Sequence, residues 1–353
     1  MKIPATVEDL TSAWLSETLD ADVRSLTLLD AHSGTTGRAK VALDADDLPE
    51  TLFVKLQPFD EEQRSFLQVI GLGVSEATFY SAVAAGRELP VRSPKVWHAA
   101  HDVTDGSFVM VLEDLEAAGC HICTPDDDGR LAVAESLMTE LAALHAAHWG
   151  QDLDWLADHA LTPGDSAEAQ ERMSMGAMIV QSALEQFADD LPPEFARMAT
   201  TYISHNREIG ALWNEGERTL IHGDDHIGNL FVDDGRTGFY DWAVASRYPG
   251  MRDVAYFLCN SLPTEMRRAE EAALIGRYRA ALAAGGVELD EATAWDQYRL
   301  FAVYSWISAT TTAAMGSKWQ PIEVGRRAME QTTQALIDLD VLGLLSERLG
   351  TPT

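Results

Sequence analysis

The chain is short of cysteine, of positive charge and of long apolar runs, and each shortage removes a class of protein. Three cysteines in 353 residues are too few for a disulfide scaffold and fit a reducing compartment. Only 26 Lys and Arg stand against 56 Asp and Glu, a formal net charge of −30. Nucleic acid and anionic membrane surfaces would be repelled, so neither is expected as a partner. A cationic small molecule would be attracted, although solubility alone accounts for the same balance. No apolar run approaches the ~20 residues of a membrane span. The N-terminal stretch MKIPATVEDLTSAWLSETL has no continuous apolar core and carries several acids, unlike a secretory signal. A cytoplasmic location is the expectation.

Motifs are missing too. No G-x-S-x-G elbow occurs, so a serine hydrolase has no nucleophile. Cys120 and Cys123 form C-H-I-C, but zinc needs four ligands and the chain has no second pair. The third cysteine, Cys259, sits in the apolar run DVAYFLCN, and all three read as structural. His145 and His148 stand three apart in LAALHAAHW with no H-E-x-x-H pattern, so His145 is expected to pack or hydrogen-bond rather than bind metal.

What the chain does have is concentrated in LIHGDDHIGNLFVDDGRTGFYDWAVASRYP, residues 220–249. His222-Gly223-Asp224 is followed by Asn229 five residues after Asp224 and by Asp241 twelve residues after Asn229. LFV (230–232) and GFYDW (238–242) read as strands, with Asp233-Asp234-Gly235-Arg236-Thr237 as the turn. Such a hairpin returns Asp241 towards Asn229, and hard Mg2+ ions prefer converging carboxylate and amide oxygens. One base and two magnesium ligands are what phosphoryl transfer from Mg-ATP to a hydroxyl requires. An acidic surface hairpin is the plainer alternative, and it would suit the tripeptide by itself.

H-G-D-x-x-x-x-N followed by a hydrophobic Asp-Trp resembles the aminoglycoside phosphotransferase and choline kinase superfamily. HGDDHIGNLF, FYDW and PGMRDVAYFL resemble its bacterial ecdysteroid-kinase-like branch. The resemblance implies an α+β, protein-kinase-like two-lobed fold, with a small antiparallel-sheet N-lobe (1–114) and a large, mostly helical C-lobe (115–353). It implies an ATP-dependent phosphotransferase with an alcohol group as acceptor. Asp224 would be the catalytic base, and Asn229 and Asp241 the Mg2+ ligands. His222 would brace the loop and Asp253 anchor the segment beyond it.

Other segments fit this frame. Val7–Leu19 reads as a helix, and Arg24–Leu29, Ala39–Leu43 and Thr51–Leu56 as three antiparallel strands. Between the first two strands, HSGTTGRAK holds Ser33, Gly34, Thr35, Thr36 and Gly37, a glycine-bearing turn that can lay N–H groups over phosphates. It is neither a P-loop nor a G-x-G-x-x-G loop, and any hairpin could read this way. Lys55 in TLFVKL is either an edge-strand lysine facing water or a buried cation for the α- and β-phosphates. Its expected partner is Glu76, with Glu61 and Glu62 as rivals; Ser75 is the expected cap of the Glu76 helix. The run Ser107–Gly119 reads as a strand leading to a hinge, where the resemblance implies adenine against the backbone of Glu113 to Leu115.

Helices are expected at 131–149, 168–187, 194–213, 265–284 and 292–315, with Pro163-Gly164, Pro192-Pro193, Gly285-Gly286 and Pro321 as breaks. The 160–213 and 292–319 segments are the candidate walls for a small hydroxyl acceptor. Trp295, Tyr298, Phe301, Tyr304, Trp306 and Trp319 are either a cation-binding cage or a core stripe. Acceptors compatible with the superfamily are hydroxylated lipid-like, steroid-like or acyl compounds, amino alcohols and aminoglycosides. A catalytically weak nucleotide-binding pseudo-kinase, acting as regulator or scaffold, is the competing class; the intact Asp224, Asn229, Asp241 and Lys55 argue against it. A protein kinase is disfavoured because the loop reads H-G-D and no A-P-E follows. Asp225 and His226 have no role assigned by the pattern.

Overall fold

In a computed structural model, residues 2–157, 167–316 and 322–351 are described. The expected Pro163-Gly164 and Pro321 breaks and the ring of Trp319 lie outside them. Helix α1 (Ser12–Leu19) precedes strands β1 (Ser25–Ser33), β2 (Gly37–Asp44) and β3 (Thr51–Leu56). Helices α2 (Glu61–Ile70) and α3 (Leu72–Ala84) follow, then β4 (Val96–Asp102), β5 (Ser107–Glu113) and the two-residue β6 (His121–Ile122). Next come α4 (Arg130–His148), α5 (Ala167–Phe187) and α6 (Pro193–Leu212). Four short strands carry the motif region: β7 (Thr219–Ile221), β8 (Leu230–Asp233), β9 (Arg236–Phe239) and β10 (Ser246–Tyr248). The chain closes with α7 (Met251–Ser261), α8 (Thr264–Ala284), α9 (Glu291–Ala314), α10 (Ile322–Asp338) and α11 (Val341–Leu349).

The fold is α+β and protein-kinase-like, with an antiparallel N-terminal sheet and a helical C-terminal part. Two compact units make it up. The first comprises residues 1–123, 153–161 and 229–246; the second comprises 124–152, 162–228 and 247–353. Compactness thus groups the hairpin at 229–246 with the N-terminal sheet rather than with the helices that follow residue 115.

In the first unit the sheet runs β1-β2-β3-β5-β4 with antiparallel neighbours throughout. Ala39, Val41, Leu52, Val54 and Leu56 share one buried face with Leu10, Leu15, Val109 and Val111. Alternation along β3 therefore turns Lys55 to the opposite face. The N-terminal helix is shorter than the sequence suggests. Val7–Asp9 forms a single 3-10 turn, and α1 starts at Ser12 because Thr11 accepts a hydrogen bond from the Trp14 N–H at 3.1 Å. The Glu76 helix starts earlier than expected. Gly71, at φ 73°, ends α2 and opens α3, so Ser75 is buried inside the helix and is not its cap. Gly73 allows this packing: a Cβ there would lie 2.1 Å from the Phe108 ring. The hairpin is also tighter than expected. Asp234 and Gly235, at φ 49° and 79°, form a two-residue turn. The second strand consequently starts at Arg236 and ends at Phe239, short of Asp241.

The second unit is helical. Helices α4, α5, α6, α8 and α9 appear close to where apolar spacing puts them, whereas α2, α10 and α11 lie outside the helices expected from the sequence. Leu137, Leu141, Leu144, Val254, Phe257, Tyr278, Phe301 and Trp306 are all fully buried or within 1 % of it. Among the described residues no single helix is long and apolar enough to cross a membrane.

Candidate functional site

The first unit builds a cluster of four charges. Lys55 is 4 % exposed and Glu76 fully buried. The Lys55 ammonium lies 2.7 Å from Glu76 Oε1, 2.6 Å from Oε2 and 3.2 Å from Asp241 Oδ1. Arg38 is the direct cross-strand partner of Lys55, and its guanidinium lies 3.7 Å from Asp241 Oδ2. Two cations facing each other across a ladder repel; Glu76 and Asp241 are the acids set against them. Burial dominates at Glu76 and pushes its carboxyl up to about 7 despite the attraction of Lys55. Desolvation outweighs Coulomb attraction at this carboxyl, and a buried ion pair is by itself weak evidence for stability. Glu61 and Glu62 lie in the first turn of α2, where Asp60 caps the Gln63 N–H at 3.0 Å.

Helix α3 also fixes Asp241. One turn beyond Glu76, Phe79 stacks on Trp242 with ring centroids 4.4 Å apart and planes 10° apart. The Trp242 indole N–H donates to Ser93 Oγ at 3.2 Å. Asp241 itself takes a left-handed conformation, φ 66° and ψ 62°, which Asp tolerates better than most residues. The Tyr240 N–H donates to the Asn229 carbonyl at 3.1 Å, so the backbones beside the two expected oxygen ligands are joined. Asn229 is 6 % exposed. A carboxylate and a side-chain amide are the hard oxygen donors that Mg2+ accepts, so the residues fit that ion.

The other expected nucleotide residues lie in the same unit. Ser33 and Gly37 pair where β1 and β2 meet, and the Gly34 N–H turns inward to the Thr36 carbonyl at 3.0 Å. Ser33 Oγ accepts from the Phe59 N–H at 3.0 Å, Thr35 is exposed, and Thr36 is buried. Glu113 ends β5, with its N–H bonded to the Lys95 carbonyl and its carboxylate to Arg92 at 2.8 Å. The Leu115 carbonyl accepts from the Cys120 N–H at 2.9 Å. Among the described residues Cys120, Cys123 and Cys259 form no disulfide, and all three are buried. Among the described residues no group of three or more His, Cys, Asp or Glu is arranged to hold a metal by itself.

The second unit carries the loop 222–228. Asp253, fully buried on α7, accepts from the His222 N–H at 2.7 Å and the Gly223 N–H at 2.9 Å. His145 Nε2 lies 3.3 Å from the same carboxylate, and His145 Nδ1 lies 2.9 Å from the Tyr278 hydroxyl. Gly250 leaves room for this: a Cβ there would meet His145 Nδ1 at 2.5 Å. The Asp224 N–H donates to His222 Nδ1 at 3.3 Å, the Gly228 N–H to His226 Nδ1 at 3.1 Å, and the Ile227 N–H to Ser261 Oγ at 2.9 Å. The loop backbone is therefore held from several sides.

Asp224 is partly exposed, and its Oδ1 accepts from the Tyr256 hydroxyl at 2.6 Å. His226 Nε2 lies 3.9 Å from Oδ2. Asp225 is fully buried, and neither carboxyl oxygen has a hydrogen-bond partner among the described residues. Burial, followed by the charge of Asp253, raises its carboxyl well above the usual range, which favours the neutral acid. Sequence reasoning missed Tyr256 and the burial of Asp225; the spacing of Asp253 and Tyr256, three residues apart in RDVAYFL, was the available signal for the first.

The aromatic residues of α9 divide. Tyr298, Phe301 and Trp306 are buried, with Tyr298 bonded to Glu271 and Trp306 to Thr333. Tyr304 already faces a cation: the Arg252 guanidinium lies 3.8 Å from its ring centroid and 4.1 Å from that of Tyr248. Tyr298, Phe301 and Trp306 therefore serve as core, whereas Trp295 and Tyr304 are half-buried.

No curated protein sequence matches this chain. Solved structures share its fold. A Ralstonia eutropha JMP134 protein assigned as an aminoglycoside phosphotransferase superposes with a TM-score of 0.58 at 15% identity, over 93% of this chain and 97% of its own. Choline kinase from Cryptosporidium parvum Iowa II gives 0.56 at 11% identity, over 92% and 93%. A thermostable mutant aminoglycoside phosphotransferase in ternary complex with ADP and hygromycin B gives 0.50 at 12% identity, over 93% and 98%. At these identities the likeness speaks for the fold. The sequence itself matches the ecdysteroid kinase-like family profile over residues 30–289, and the chain belongs to that family.

Proposed function

We propose that the protein is a small-molecule O-phosphotransferase, moving the γ-phosphoryl group of ATP to an acceptor hydroxyl. The observation that carries this reading is the buried Lys55–Glu76–Asp241 cluster. A structural ion pair does not need a third, strained and partly exposed carboxylate on the same ammonium. A nucleotide triphosphate does need a fixed cation beside a metal-binding oxygen. In this reading Lys55, oriented by Glu76, binds the α- and β-phosphates, and the turn at residues 33–37 lies over them. The backbone of Glu113 to Leu115 meets the base. Asn229 and Asp241 would hold Mg2+, which neutralises phosphate charge when bound.

Asp224 orients the acceptor hydroxyl and accepts its proton. As the acceptor oxygen bonds to the γ-phosphorus, the bond from that phosphorus to the bridging oxygen breaks, and ADP leaves with the electron pair. The transition state is loose, so the proton moves late and a strong base is not required. Family membership and the ADP-bound structural neighbour support a nucleotide substrate. Among acceptors, the contacts of Tyr304 and Tyr248 with Arg252 argue against a quaternary amine there. The overall charge would attract cations, but it is screened beyond ~8 Å at physiological salt, and the local contact outweighs it. Hydroxylated lipid-like, steroid-like or acyl compounds, amino alcohols and aminoglycosides are all carried into the acceptor screen.

The test is an acceptor screen with Mg-ATP across steroid alcohols, hydroxyacyl thioesters, choline and aminoglycosides. Transfer to at least one is expected. Asp224→Asn should cut it by about 10²–10⁴-fold while leaving ATP affinity nearly intact, and a variant at full rate removes Asp224 from the role. Tight Mg-ATP binding with neither transfer nor hydrolysis would instead favour a pseudo-kinase regulator.

A further inference from the structure

Helix α7 touches the motif loop with Asp253 and Tyr256, besides the contact of Ser261 with the Ile227 N–H. Asp253 takes the backbone N–H groups of His222 and Gly223, and Tyr256, three residues on, reaches the Asp224 side chain itself. Residues three apart on a helix are neighbours, so the same turn that anchors the loop also addresses its carboxylate. The Tyr256 oxygen lies 2.6 Å from Asp224 Oδ1 and 3.0 Å from Ser308 Oγ on α9. An ionised carboxylate only accepts, which fixes the direction of this chain. Tyr256 donates to Asp224, and the Ser308 hydroxyl donates to the Tyr256 oxygen. Tyr256 is 5 % exposed, and its ring packs 5.7 Å from that of Tyr304, itself held by Arg252. The phenol has little freedom to move away.

We infer that Tyr256, seated by Ser308, is a positioning residue that sets the orientation of the Asp224 carboxylate for the acceptor hydroxyl. This rests on the reading of Asp224 as the base. A carboxylate on a loop can rotate about two side-chain torsions. One charge-assisted bond at Oδ1, anchored in the packed pair α7 and α9, removes that freedom before an acceptor arrives. Nucleotide contacts are untouched by the inference, so turnover and ATP binding separate.

The experiment compares wild type, Tyr256→Phe, Ser308→Ala, Asp224→Asn and the double variant Tyr256→Phe/Asp224→Asn. Turnover of Mg-ATP is followed with the best acceptor of the screen, or with water as acceptor, together with the KM for ATP, Mg-ATP affinity and melting temperature. Tyr256→Phe should lose about 10–100-fold in kcat, the range for one hydrogen bond to a charged group. Its ATP affinity should stay within about twofold of wild type. Ser308→Ala should lose less, in the same direction. In the Asp224→Asn background the phenylalanine should cost nothing further, because its effect runs through that carboxylate. Wild-type kcat in Tyr256→Phe, or costs that multiply in the double variant, overturns the role while leaving Asp224 as base. Full turnover in Asp224→Asn, or none in the wild type, removes the base and the role together.

Discussion

Replacing Asp253 with asparagine should cost far more than its one-atom difference suggests. The carboxylate is fully buried and accepts two backbone N–H groups, one at each oxygen, at 2.7 and 2.9 Å. His145 adds a third contact at 3.3 Å. An amide has one acceptor oxygen. Whichever way the substituted amide were turned, its NH2 would face either the His222 or the Gly223 N–H, donor against donor. A hydrogen bond to a charged group is worth about 1.5–3 kcal/mol, and an orphaned buried N–H costs about 1–3 kcal/mol. The two losses overlap, so about 2–5 kcal/mol is expected. At about 2–4 °C per kcal/mol for a unit of 150–250 residues, melting should fall by about 4–20 °C. Scanning calorimetry near neutral pH reads this directly, with Asp234→Asn, in the exposed hairpin turn, as a control expected within about 0.5 kcal/mol. Because the same loop carries Asp224, turnover should fall too. A melting point for Asp253→Asn within about 1 °C of wild type would refute the account of how this loop is held.

Two further outcomes follow from the same contacts. Asp241→Ala should weaken the magnesium-dependent part of nucleotide binding by about tenfold or more, equivalent to about 1.4 kcal/mol; titration of nucleotide with and without Mg2+ checks it, and unchanged Mg-ATP affinity would remove Asp241 from that site. Asp225→Asn should change how stability depends on pH. In the unfolded chain this carboxyl titrates near its ordinary value of about 3.9, whereas in the fold it is raised well above that. Below about pH 4 both states hold the proton and nothing is lost. As pH rises further, the unfolded chain releases its proton while the fold keeps it, so wild-type stability falls, by at most about 1.4 kcal/mol per pH unit. The asparagine variant lacks this slope and should gain on wild type as the pH rises above about 4. Parallel melting curves against pH would show that Asp225 is not held as a neutral acid.

Several parts of this protein could be read from the chain before any coordinates. Asp-Gly in the hairpin and the short apolar runs are local rules, and they led to the β2–β3 ladder and the β8–β9 hairpin. The expected pairing of Lys55 with Glu76 came from the cost of an unpaired cation in an apolar strand and the strand-lysine, helix-glutamate pattern of kinases. The long helices α4, α6, α8 and α9 were legible because apolar spacing persists over many turns. The start of α3 was not, since Ser75 looks like a cap in the sequence, whereas the left-handed Gly71 and the close approach of Gly73 to Phe108 place the boundary elsewhere. The aromatic residues of α9 were ambiguous for a similar reason. Spacing alone cannot tell a binding face from a core face, and the difference lies in the neighbours.

The chain by itself determined the chemistry on offer, because which side chains can accept a proton or give oxygen to a metal is a property of residue type and near spacing. It also determined the fold class and the family. Tertiary structure decided which of those groups are tuned and how. Residues 38, 55, 76 and 241 share one charge cluster only because strands and a helix distant in sequence pack together. Asp224 is held by Tyr256 only because α7 lies against its loop. The carboxyl of Asp225 is raised because folding takes it out of water. Burial and contact over long sequence separations set these energies, and neither quantity is written in local sequence.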